Sequence, residues 1–397
     1  MKEILDSPGF LAKARKKAGD FTRKRVLPFT LLCLFLLRIV HECLAVSFRR
    51  FASTIDVEMK MSEQALSEAR NKIKWEAFAE LSERISDFAY TGDYTLWNGY
   101  RVSAIDGSKQ ALPNDPKLAR KFGRDKGSPM GRGSVLYDVI NYTVIDGQLE
   151  PLSIDERELA KRHLQQLIKK ARGHKELIIF DRGYPSEDLI EFCKANGLFY
   201  LMRVRRKFNL DVDKQYASDG YVWIGKCRVR VIKVILDDGE IETLLTNLVE
   251  NFDFKELYYL RWGVEKEFDV LKNVLEIENF SGRTETAIRQ DFYIHIIASN
   301  FLAAAYWEAQ ETVDEERNAD TGNKYKYKVN IAQAAGTMRD YLVPAILADD
   351  PDKRAQLFEE MRRTMADAVI LIRPDRKVPR RPNNRKAKFH HNRKSNL

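Results

Sequence analysis

The sequence predicts an α/β fold, a mixed sheet with a β-rich insertion, flanked by helical N- and C-terminal regions. Three observations point to it. Strand-like and helix-like segments alternate through residues 96–205. Short strands separated by Gly-containing turns fill 206–250. Both ends, 1–95 and 285–372, carry apolar residues at helical spacing. With 397 residues and 44% hydrophobic content the chain can bury a real core, which excludes wholesale disorder. Length alone allows two or three globular units at roughly 150 residues each.

The first 95 residues are expected to be helical. Val26–Leu37 (VLPFTLLCLFLL) is apolar, but Pro28 interrupts it and Arg38 closes it, short of the ~20 residues that span a bilayer. It predicts a buried helix, neither a membrane span nor a signal peptide. Met61–Ser86 has helical spacing; Ser62 or Ser67 supplies a cap, and Asn71-Lys72 begins a turn between two helices.

In the core, Tyr100–Ile105 predicts a strand running into Asp106-Gly107-Ser108. Ser134–Val144 and Gln148–Leu152 predict a hairpin that turns on Asp146-Gly147. A helix follows over Asp155–Arg172, with Leu159, His163 and Leu167 on one face. Then come a buried strand, Glu176–Phe180, ending at Asp181, a helix over Pro185–Ala195, and a strand over Leu198–Val204. The order strand, hairpin, helix, strand, helix, strand, with acids at two strand ends, is that of a ribonuclease-H-like sheet. Open α/β sheets bind ligands at the carboxyl ends of their strands.

The insertion, 206–250, reads as strands at Gly220–Gly225, Arg228–Leu236 and Glu240–Asn247, with a turn at Asp237-Asp238-Gly239. Residues 251–284 supply a long helix that completes the core, and 285–372 stay helical. The last stretch, 373–397, holds three prolines, four Asn and ten cations, and predicts a basic disordered tail.

Charge is unevenly placed. The total is +9, yet 373–397 carries +9 and 1–30 carries +5, so the body between is at −5. Basic ends on a mildly acidic body suit contact with a polyanion. Four cysteines without paired spacing (Cys33, Cys43, Cys193, Cys227) exclude a disulfide scaffold and a Cys-based zinc ribbon. The expected compartment is reducing and cytoplasmic.

The most informative segment is Asp253–Asn273. Asp253 and Glu256 make a capping box for a helix. With Arg261 at zero and about 100° per residue, Glu265 falls near ~40°, Lys272 near ~20° and Tyr258 near ~60°, one narrow stripe beside the apolar face. Such a stripe can line a cleft and bring a third carboxylate to the two at the strand ends. Three carboxylates from three elements are the oxygen ligands that hard divalent ions take. Without a cation, like charges raise one another's pKa.

The residues resemble the DDE transposases of bacterial insertion sequences, in the group with a Tyr-x2-Arg-x3-Glu-x6-Lys signature. Here that signature is Tyr258, Arg261, Glu265 and Lys272. The first acidic motif is Ile105-Asp106-Gly107-Ser108-Lys109 and the second Phe180-Asp181-Arg182-Gly183-Tyr184. The resemblance covers about residues 60–310. It implies catalytic, metal-binding residues Asp106, Asp181 and Glu265, with two Mg²⁺ (or Mn²⁺) ions. Tyr258, Arg261 and Lys272 are then DNA-binding, the last two at phosphates. It also implies binding of terminal inverted repeats, cleavage at the element's ends and transfer of the 3′-hydroxyl to target DNA. The partners would be double-stranded DNA and a second subunit in a DNA-assembled homodimer, associated with a bacterial nucleoid. A ribonuclease-H-like nuclease without strand transfer, and an inactive DNA-binding repressor, remain as alternatives.

Other residues receive plainer readings. Asp188 is expected on a solvent-facing helix, Asp146 in a turn, and His295 in an apolar helix. The N-terminal cations Lys13, Arg15, Lys16, Lys17, Arg23, Lys24 and Arg25 are candidates for DNA phosphates. So are Arg70, Lys72 and Lys74, placed in a helix-turn-helix-like unit.

Overall fold

The computed structural model describes all residues except 23–26, 39–43, 56–60, 171–172, 237–238, 320–321, 323 and 374–397. The basic tail, apart from Arg373, and the cations Arg23, Lys24 and Arg25 therefore lie outside the described residues.

The N-terminal helices are α1 (Lys2–Asp6), α2 (Pro8–Ala14), α3 (Phe29–Leu37), α4 (Leu44–Thr54), α5 (Glu63–Asn71) and α6 (Glu76–Phe88). Helix α3 is buried along nearly its whole length, and among the described residues no helix is long and apolar enough to cross a membrane. Ser62 caps α5 by accepting a bond from the Ala65 amide.

The core follows as β1 (Tyr100–Ala111), α7 (Pro116–Phe122), β2 (Arg124–Asp125), β3 (Ser128–Asp138) and β4 (Thr143–Pro151). It continues with α8 (Glu156–Lys169), β5 (Lys175–Phe180), α9 (Glu187–Ala195) and β6 (Phe199–Val204). Next are α10 (Leu210–Lys214), β7 (Asp219–Ile224), β8 (Cys227–Ile235) and β9 (Ile241–Thr246). Helices α11 (Phe254–Tyr259) and α12 (Trp262–Asp269) lead into a π-helical turn, Val270–Val274, and the long α13 (Glu285–Val313). A second π-helical turn (Asp314–Asn318), β10 (Tyr327–Val329), α14 (Ile331–Leu347), α15 (Pro351–Asp367) and β11 (Val369–Leu371) complete the described chain.

Among the described residues one mixed sheet holds nine of the strands, and β4-β3-β1-β5-β6 is its ribonuclease-H-like half. Strand β1 pairs antiparallel with β3 and parallel with β5, which pairs parallel with β6. The insertion strands do not form a separate sheet. They extend the core sheet in the order β6-β9-β8-β7.

Strand alternation gives the sheet two apolar faces. Val102, Ala104, Leu177, Ile179 and Leu201 share one core with Val264, Phe292 and the N-terminal helices. Ile105, Ile178, Phe180, Tyr200 and Met202 share the other with residues of α8 and α9. Strand β5 is thus apolar on both sides, as a central parallel strand must be.

Three local expectations are corrected. First, the hairpin does not turn on Asp146-Gly147. It turns over 139–142, where the Asp138 carboxylate accepts from the Ile140 and Asn141 amides at 3.0 and 2.9 Å. Tyr142 there takes a left-handed φ of 54°. Gly147 instead lies in β4, and a Cβ on it would stand 3.2 Å from Ile296 Cγ1, so glycine there serves the close approach of α13.

Second, β1 does not end at Asp106. It runs on to Ala111 because β3 stays paired to it, while β5 stops at the Ile105–Phe180 pair. Third, the helix over Asp253–Asn273 is not regular. It tightens where the Arg261 amide bonds Tyr258 O and the Gly263 amide bonds Leu260 O, then widens into the π turn.

Candidate active site at the carboxyl edge of the sheet

Asp106 sits where β1 loses β5 as a neighbour, and Asp181 is the first residue after β5, so strand register alone makes them adjacent. Each follows a residue, Ile105 or Phe180, that packs in the α8–α9 layer. Alternation therefore turns both acids toward the layer that carries α12. Helix α12 packs across β1 and β3. Its Gly263 lies close against Val139, where a Cβ would come within 3.3 Å of that side chain. This contact seats the helix that carries Glu265, two residues on, whose charge reaches Asp106.

The three acids share an electrostatic field. Burial first, then the charges of Glu265 and Asp181, push the Asp106 carboxyl up to about 6, against the Gly107 amide and Arg261. Asp106 Oδ1 accepts from that amide at 2.8 Å. Arg261 donates from Nη2 to Glu265 Oε1 at 2.7 Å and is nearly buried, its side chain 8% exposed. Burial opposes the Arg261 charge, but the Glu265 bond, Tyr258 and Asp181 hold its pKa above the ordinary value. The guanidinium is the resident cation among these carboxylates.

Tyr258 is buried beside Arg261, whose guanidinium lies 5.8 Å from its ring. Burial, with Asp181 adding to it, pushes the Tyr258 hydroxyl pKa up. Lys272 does not extend the Arg261–Glu265 stripe with a free ammonium. In the π turn its Nζ donates to Lys109 O at 2.8 Å and lies 3.5 Å from Glu278, pinning this segment to β1.

Neighbours given no site role by the sequence complete the site. Tyr184 is buried, and burial, then Asp106, Glu156 and Asp181, raise its pKa well above the usual value. Glu156 pairs with Arg132 and approaches Gly107, whose Cβ would lie 3.5 Å from it. Beneath Asp106, Ser134 Oγ donates to the Asp106 carbonyl at 3.2 Å and meets His163 Nε2 at 3.0 Å. His163 Nδ1 contacts Asp146 Oδ2 at 2.6 Å. Asp146 is thus part of a relay, not a turn. Only the motif position of Tyr184 offered a sequence signal; the relay joins residues from three elements that no spacing rule connects.

The remaining candidates are accounted for. Asp188 pairs with Lys161 at the surface, and His295 Nδ1 meets Asp291 O at 2.6 Å within α13. Arg70 is a correction: it is no DNA contact but a buried group bonded to Gln290, Ser281, Ala287 O and Asp291.

Glu267, two residues past Glu265, faces inward, is buried and accepts from Ser299 Oγ. Burial pushes its carboxyl up to about 7, with the Ser299 bond opposing. Because the folded pKa is raised, its contribution is fully present below the unfolded carboxyl pKa and is lost as pH rises through 7. Glu267→Gln is expected to remove that loss: its stability advantage over the natural protein should grow by about 3 kcal/mol between pH ~4.5 and ~7. Denaturant melts across that range check it.

Among the described residues no three carboxylate, imidazole or thiol side chains are gathered closely enough to form a ready metal cluster. The donor chemistry still fits a hard divalent cation: oxygen ligands, a desolvated Asp106 lifted by its neighbours' charges, and polar atoms awaiting partners. Tyr184 Oη, Tyr258 Oη and Arg261 Nε are all buried without a hydrogen-bond partner.

The transposase DDE domain family matches residues 97–301, just over half of the chain and all of the elements that carry these acids. The protein belongs to the transposase DDE domain family. No curated protein matches this DDE transposase. Among solved structures it is similar to a piggyBac transposase synaptic complex with hairpin DNA, at 11% identity and a TM-score of 0.49. That match covers 92% of this chain and 84% of the other.

Proposed function

We propose that this DDE transposase binds terminal inverted repeats of an insertion sequence, cleaves DNA at the element's ends and transfers the freed 3′-hydroxyl to target DNA. One observation carries the reading: three acids, from β1, the end of β5 and α12, act on one another electrostatically at the carboxyl edge of the sheet. Two Mg²⁺ (or Mn²⁺) ions held by Asp106, Asp181 and Glu265 would activate the attacking oxygen and stabilise the leaving one at phosphorus.

The chain's own residues do the rest. Arg261 balances Glu265 in the absence of substrate and, with Tyr258 Oη and its own free Nε, offers donors to phosphate oxygens. Lys272 fixes the π turn against β1. The Ser134–His163–Asp146 relay holds the β1 backbone at Asp106, while Tyr184 packs against Phe180. Water attack on the phosphodiester breaks the P–O3′ bond, leaving a 3′-hydroxyl and a 5′-phosphate; that hydroxyl then attacks a target phosphodiester, loses its proton and displaces the target strand's own 3′-oxygen, which leaves as a 3′-hydroxyl. The active unit is a homodimer assembled on DNA.

The test supplies the protein with Mg²⁺ or Mn²⁺, DNA carrying the inverted repeats that flank its coding region, and a plasmid target. Covalently joined products are expected. Cut ends without joining would assign a nuclease instead, and binding without cutting would assign a repressor.

A further inference from the structure

Just beyond Asp181 the loop of Arg182 and Gly183, the N-terminal turn of α8 and the end of β6 enclose a cavity of about 230 Å³. Five cations line it, Arg157, Arg182, Arg205, Arg206 and Lys207, and no carboxylate does. Elsewhere the chain pairs its arginines closely: Arg70 with Asp291, Arg101 with Glu176, Arg230 with Asp219 and Arg261 with Glu265. In this cavity the Arg182, Arg205, Arg206 and Lys207 side chains meet no acidic partner among the described residues. Like charges this close repel, and an anion between them relieves the repulsion.

The cavity is built by the backbone. Arg157 Nε donates to Gly183 O at 3.3 Å, tying the loop after Asp181 to α8. After β6 the chain turns sharply: the Phe208 amide bonds Arg205 O at 3.2 Å, Lys207 takes a left-handed φ of 67°, and its amide donates to Asp213 at 3.0 Å. This turn sets three consecutive cations, Arg205 to Lys207, around the end of the strand that neighbours β5. The site lies at the carboxyl edge of the parallel strands, on the opposite side of Asp181 from the Glu265 helix.

We propose that this cavity binds a phosphodiester of the DNA strand adjacent to the one being cleaved at the acids. The inference rests on the DNA-processing reading above. The strand would pass over the sheet edge with Arg261 and Lys272 on one side of the scissile phosphate and the arginine cavity on the other. Guanidinium forks suit this role, since each can bond two phosphate oxygens at once.

The test measures binding of the full-length protein to a DNA duplex of arbitrary sequence, in chelator, over a series of salt concentrations. Each phosphate contact contributes about 0.9 to the slope of log affinity against log salt. Arg205→Gln/Arg206→Gln is expected to flatten that slope by about 0.9, the loss of the one phosphate the cavity holds, and Arg182→Gln, a second route if the double variant folds poorly, to flatten it by up to about the same amount. Lys328→Gln/Lys353→Gln, two exposed cations on the C-terminal elements, should leave it unchanged. An unchanged slope in the arginine variants, or an equal loss in the lysine control, overturns the cavity as a phosphate site. If the natural protein shows no salt-dependent DNA binding at all, the DNA reading itself falls, and the cavity proposal with it.

Discussion

Asp181→Asn is expected to lower DNA cleavage by about a thousandfold or more while gel-shift binding persists, and Glu265→Gln to do the same. On the proposed mechanism the carboxylates supply, through the ions they would hold, several kcal/mol of transition-state stabilisation, and about 1.4 kcal/mol is a factor of ten. Binding would rest instead on cations, which neither change removes. Asp181→Asn is the cleaner variant, because Asp181 is partly exposed just beyond β5. Glu265→Gln also removes the charge that faces Arg261 Nη2, so some loss of stability will accompany it. Cleavage that survives Asp181→Asn in the presence of Mg²⁺ would remove Asp181 from the site.

Arg70→Met should cost about 3–5 kcal/mol of stability, among the largest single effects available outside the sheet. Arg70 and Asp291 have side chains only 4% and 6% exposed, and their ion pair at 2.8 Å closes a network that includes Gln290 and Ser281. Removing the guanidinium leaves the Asp291 carboxylate buried with fewer donors. Adding Asp291→Asn should restore part of the loss, giving a non-additive double-mutant cycle. Urea unfolding of the four proteins measures it. Additive effects would mean that the two residues act independently.

These predictions separate what was legible in the chain from what was not. The α/β class, the strands of the core and the proximity of Asp106 to Asp181 follow from local patterns, because an apolar run such as Glu176–Phe180 states its own burial. The Tyr258–Lys272 spacing likewise pointed to the edge where Glu265 sits. What misled was local chemistry with a distant cause. Asp146-Gly147 has the composition of a hairpin turn, yet Gly147 is needed because α13 packs against it. Arg70, Lys72 and Lys74 read as one basic cluster, but Asp291, 221 residues away, takes Arg70 into the interior. The helix angle that placed Lys272 beside Arg261 assumed a constant turn, and the tightening at Leu260 followed by the π turn broke that phase.

By itself, then, the sequence determined which segments become strands and helices, that Asp106 and Asp181 close neighbouring strands, and that Arg261 and Glu265 face one another one turn apart. Those properties depend on neighbours a few positions away, where side-chain period and turn chemistry govern. Only the tertiary structure decided that the insertion strands join the core sheet, that a His163 relay underlies Asp106, and that unpaired arginines gather past Asp181. Each of those needs contacts between elements far apart in the chain, whose pairing is set by the packing of whole layers and not by any local spacing.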